Sequence, residues 1–84
     1  MVIPMRIGEA VRVRIVQLCE EREISVNKLS NISGVTQSTV NNIVSGRNRS
    51  ATISTIKKLC DGFGITIQEF LDVEQFHDLE QEVK

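Results

Sequence analysis

Apolar residues recur at spacings of three and four through most of the chain, the period of helices with one buried face. Val11, Ile15 and Leu18 share such a face and predict a first helix, Ile7–Arg22. Pro4 stands just ahead, so residues 1–6 read as an extended arm. Ser25 is placed to cap a second helix, which runs to Ser33 with Leu29 and Ile32 inward. Gly34 follows where a left-handed residue ends a helix at little cost, and Val35 packs into the turn. Thr36 then caps a third helix, residues 37–45, with Val40, Ile43 and Val44 as its apolar stripe and Gly46 as its stop. Thr52 caps a fourth, Ile53–Phe63, with Ile53, Ile56, Leu59, Cys60 and Phe63 inward and Gly64 at its end. Thr66 and Glu69 have the spacing of a capping box, and open a fifth helix containing Ile67, Phe70 and Leu71.

No stretch alternates with period two, and every connection is short, as compact helical domains require. The expected domain is residues 7–72. Residues 73–84 form an acidic tail that reads two ways. Val73, Phe76, Leu79 and Val83 recur at helical spacing and could extend the fifth helix, while the acidity favours fraying at a terminus.

Size and composition then narrow the class. Eighty-four residues allow one small domain, and three Phe with no Tyr or Trp make its core aliphatic. No run of 18 apolar residues exists to span a membrane, and the start lacks the apolar core of a secretory signal. Cys19 and Cys60 fit no metal spacing and read as reduced core thiols of a cytoplasmic protein.

Charge changes the picture more. The net charge of −1 is an average over two unlike parts. Residues 1–71 carry nine bases and six acids, or +3, while residues 72–84 carry five acids and one Lys, or −4. Residues 25–58 hold five Lys or Arg and no Asp or Glu. Binding responds to the local field, because charges beyond a Debye length of ~8 Å are screened.

That acid-free stretch contains the third helix, whose polar face carries Gln37, Ser38, Asn41 and Asn42. A helix pair bent at a glycine, with amides outward and positive charge nearby, suits the DNA major groove. Gln and Asn offer a donor beside an acceptor, which matches adenine N6 and N7. Phosphates need donors instead. The candidates are Asn27 and Lys28 at the start of the second helix, Thr36 and Thr39, and Arg47, Asn48 and Arg49 after the third. Lys57 and Lys58 are weaker candidates, since the fourth helix can point them elsewhere.

With Leu29, Gly34, Val40 and Ile43 at these spacings, Ser45-Gly46 and a basic loop after the third helix, and the segment TISTIKKLCDGFGITIQEFL, residues 7–72 resemble the Xre family. This is the Cro and phage-repressor type of helix-turn-helix domain. The resemblance implies an all-α, compact five-helix bundle whose second and third helices form the DNA-binding unit. It also implies base contacts from the positions of Gln37, Ser38 and Asn42. Asn41, next to Asn42 in the chain, is expected to reach a base or a phosphate. Two positions depart from the family pattern. Ser30 stands where Ala is common, and its hydroxyl is expected to bond back to helix carbonyls. Cys19 and Val44 stand where several phage repressors place an Arg–Glu ion pair, a pair that packing can replace.

The expected function is a sequence-specific transcriptional regulator, a repressor, reading double-stranded DNA of the bacterial or phage type. Small size and the family's habit imply a homodimer on a pseudo-palindrome, joined through the fifth helix and the tail. The alternative is a protein-interaction module, or the antitoxin of a toxin–antitoxin pair, on the same bundle. Catalysis finds no support. His77 is the single histidine and lies in the acidic tail, and no nucleophile arrangement, glycine-rich phosphate loop or metal cluster is present. No cofactor, metal, membrane or small-molecule substrate is expected.

Overall fold

A computed structural model describes residues 5–48 and 50–81. Its helices are α1 (Ile7–Arg22), α2 (Val26–Ser33), α3 (Gln37–Val44), α4 (Ile53–Phe63) and α5 (Ile67–Leu71), followed by a single 3-10 turn, Glu74–Phe76. Each start after α1 is set by a hydroxyl that accepts an otherwise unpaired backbone N–H. Ser25 Oγ takes Lys28 N, Thr36 Oγ1 takes Thr39 N, Thr52 Oγ1 takes Thr55 N, and Thr66 Oγ1 takes Glu69 N. The Glu69 carboxylate returns a bond from Thr66 N at 3.0 Å and completes the capping box.

Ile15, Leu18, Leu29, Val40, Ile43, Leu59, Cys60 and Phe70 form the fully enclosed centre. Burying an aliphatic side chain of this size contributes about 1.5–3 kcal/mol. α2 packs chiefly on α4 and α3, so the turn between α2 and α3 rests on the middle of the core. Two glycines make that geometry possible for different reasons. Gly34 has φ +74° with open space around it, so the dihedral is what requires glycine there. At Gly62 the reason is space: a Cβ would lie 2.9 Å from Ser33 Cβ and 3.0 Å from Ser33 Cα, where α4 meets α2.

Three expectations need correction. Ile32 is 40% exposed, because the inward positions of α2 are Val26, Leu29, Ser30 and Ser33, and residue 32 is off that stripe. Ile53 is 70% exposed: it is in register with Ile56, but at the first position of α4 no neighbouring element covers it. Ser30 bonds across the turn and not back along its helix, donating to Val35 O at 2.6 Å. It thereby ties the end of α2 to the residue before the α3 cap.

The segment after α5 neither extends that helix nor stands free over its described length. α5 stops at Leu71. Phe76 then packs on the core and faces the Phe70 ring, 6.0 Å between centroids. Gln75 Nε2 donates to Gln17 Oε1 of α1 at 3.0 Å, and Glu80 N donates to Met5 O at 2.8 Å in a short parallel bridge between Met5 and Leu79. Arg14, 9% exposed, anchors the junction. Its guanidinium donates to Phe70 O at 2.8 Å and to Glu69 O at 3.0 Å, and lies 5.9 Å from the Phe70 ring centroid.

Candidate nucleic-acid interface

α3 sorts its residues by register. Val40 and Ile43 are buried and Val44 is half-buried against the core, which turns the positions one and two residues away from them outward. Gln37, Ser38 and Asn41 are exposed, and Asn42 is half-buried at the edge of the same face. Gln37 with Asn41, and Ser38 with Asn42, are four residues apart and so stack along the helix in two adjacent rows. The face is held by what lies behind it: the buried stripe, the Thr36 cap and the Ser30 tie across the turn.

The phosphate candidates fall into three groups. Asn27 and Lys28 are exposed in the first turn of α2, where backbone N–H groups and the positive end of the helix dipole point outward. Thr36 and Thr39 are partly occupied with each other: Thr36 Oγ1 accepts Thr39 N at 3.2 Å and donates to Thr39 Oγ1 at 2.8 Å. Arg47 is exposed after Gly46, which takes φ +86°. Asn48 is half-buried and builds the loop. Its backbone N donates to Asn42 O at 2.9 Å and its Oδ1 accepts Ser50 N at 2.9 Å, which leaves the amide NH2 for another acceptor. Arg49 lies outside the described residues. Lys57 is ion-paired with Asp61 on α4.

Among the described residues, no hydrogen bond or ion pair joins the acidic tail to α3; beyond itself, the tail bonds to Gln17 of α1 and to Met5 ahead of that helix. Ser30 is the contributor that the sequence reading misplaced. Its nearness to Gly34 was legible, but the carbonyl it would find was not.

Among the described residues no helix is long and apolar enough to cross a membrane, and no cluster of His, Cys, Asp or Glu could hold a metal ion. Both thiols are free, and burial pushes the pKa of Cys19 and of Cys60 upward, so both stay protonated at neutral pH.

These features define a helix-turn-helix domain with its second helix presented outward. The chain belongs to the Cro/C1-type HTH DNA-binding domain family, whose profile matches residues 14–75. It is also similar to a solved prophage protein, the prophage Lp1 protein 11, at 31% identity and a TM-score of 0.76, over 89% of this chain and 99% of that one. No curated protein sequence matches the chain. DNA binding is thus the activity of its class.

Proposed function

We propose that the chain is a sequence-specific regulator of transcription that reads the major groove with α3. The observation that carries this reading is the row of outward amides, Gln37 and Asn41, on a helix fixed from behind by Val40 and Ile43. Gln37 at the first helical position is the strongest base reader, because the start of a recognition helix enters the groove. Ser38 and Asn42 flank it. Asn27, Lys28, Thr36, Thr39, Arg47, Asn48 and Arg49 hold the backbone on either side. Two copies on a pseudo-palindrome, with half-sites about 34 Å apart, would supply the contact area that a single module lacks. Repression follows where such a site overlaps a promoter. For the dimer contact, α5 offers Leu71, which is exposed, while Phe70 and Phe76 are occupied within the protomer.

Selection of bound duplexes from a random pool tests the reading. One preferred site with two-fold symmetry is expected. On that site Gln37→Ala should cost ~1–3 kcal/mol and relax preference at one base pair, while Arg47→Ala should weaken all duplexes alike and flatten the salt dependence. Unchanged binding by Gln37→Ala would remove α3 as the reading element.

A further inference from the structure

On the flank of the bundle, between the end of α1, the start of α2 and the end of α3, lies an open groove of about 360 Å³. Val16, Cys19, Ile24, Val26 and Val44 form its walls. Each is half-buried, and the last four rest on the core with one side while the other side faces the groove. Its volume is at the lower end for small-molecule sites, ~300–1,000 Å³, but such sites carry convergent polar groups. Here Ser25 supplies the one hydroxyl, and that group is occupied as the α2 cap, 3.1 Å from Lys28 N. An aliphatic trough without free polar groups fits an apolar side chain from a protein.

The rim says which kind of protein. Glu20 and Glu23 line the groove and no Lys or Arg does. Arg22, between them in sequence, is turned to the Phe63 ring, 5.5 Å from its centroid. Glu23 is also the only described non-glycine residue with positive φ, +53°, at the C-cap of α1 where glycine is the usual choice. A left-handed residue with a side chain is strained, and such strain concentrates at functional positions. Glycine there would relieve the backbone and remove the carboxylate from the rim.

We infer that this groove is a docking site for a protein segment that presents an apolar side chain flanked by Lys or Arg. The acidic rim disfavours DNA and favours a basic partner. None of the residues assigned to the DNA face lines the groove.

A random peptide library displayed on phage, selected on the immobilised full chain, tests this. The winners are expected to combine an aliphatic or aromatic residue with neighbouring Lys or Arg. The winning peptide, synthesised, should slow alkylation of Cys19 by iodoacetamide at alkaline pH, where the thiolate that reacts is populated, while Cys60 is buried and contributes no background. Glu23→Gly should weaken that peptide about three- to fivefold, the worth of one exposed charge pair, with an equal or higher thermal midpoint. A merely structural Glu23 would leave the peptide's affinity unaffected, whatever the midpoint does. The double variant Glu20→Lys, Glu23→Lys should abolish protection. No winners, winners without positive charge, or winners that leave Cys19 alkylation unchanged would each overturn the proposal. So would Cys19 protection that grows with protein concentration alone, which would make a second copy the occupant.

Discussion

The α2–turn–α3 unit and the α1–α5–tail side are built from the same helices but use their polar groups in opposite ways. On the tail side, side chains are committed inward: Arg14 to two carbonyls, Phe76 to Phe70 and the core, Gln75 to Gln17, Glu80 N to Met5 O. On the reading side, polar groups close to the backbone are committed, namely Ser25, Ser30 and Thr36, while the longer amides and cations of Gln37, Asn41 and Arg47 extend outward. Short side chains hold the helix ends in place and long ones remain available. The tail side contributes rigidity, and the reading side keeps hydrogen-bonding capacity on a surface that this rigidity fixes.

The largest test of this division is Arg14→Met. It keeps the apolar stem but leaves the buried Phe70 carbonyl without the guanidinium donor, and should cost about 1–3 kcal/mol of stability in urea unfolding. The DNA preference of the folded protein should not change; a changed site preference would mean that the two sides are coupled.

Gly62→Ala comes next, because it acts on the contact that carries α2. Alanine gains about 1 kcal/mol in helix propensity, while overpacking typically costs about 1–3 kcal/mol. With backbone and Cβ of Ser33 both within 3.0 Å, the clash wins. A net loss of up to about 2 kcal/mol is expected, with weaker DNA binding because α2 must shift. Binding measured where the protein is fully folded separates the two effects.

Thr36→Ala removes the α3 cap and should cost about 1 kcal/mol. Because the fraying would begin at Gln37, the loss of specific binding should exceed the loss of stability. The smallest effect concerns pH. Cys60 has a pKa raised by burial, so the folded state holds its proton more tightly than the unfolded state. Its contribution is therefore complete below the unfolded thiol pKa, about 8.5, and is lost as pH rises from there through the folded value. The thermal midpoint should fall between pH about 8 and 10, and Cys60→Ala should flatten that decline.

Much of this architecture was legible before any coordinates. The starts of α2 to α5 follow from Ser25, Thr36, Thr52 and Thr66, and the ends of α2 and α4 from Gly34 and Gly64, because caps and left-handed glycines act within a few residues of chain. The outward amides of α3 were legible for the same reason, since the helical period alone separates them from Val40 and Ile43. Ile32 and Ile53 were misjudged because period identifies a face without saying what covers it. Arg14 escaped notice because its acceptors are backbone carbonyls 55 and 56 residues away.

Local chemistry in the sequence thus determined where most of the helices begin and end, which of their faces is apolar, and which residues of α3 face outward. Tertiary structure alone decided which carbonyls Arg14 and Ser30 reach, that the acidic segment lies along α1, that Gly62 is needed for room, and that an aliphatic groove with an acidic rim remains open. Capping and periodicity are interactions between near neighbours in the chain. The others depend on which distant surfaces meet, and that is settled only when all the helices pack at once.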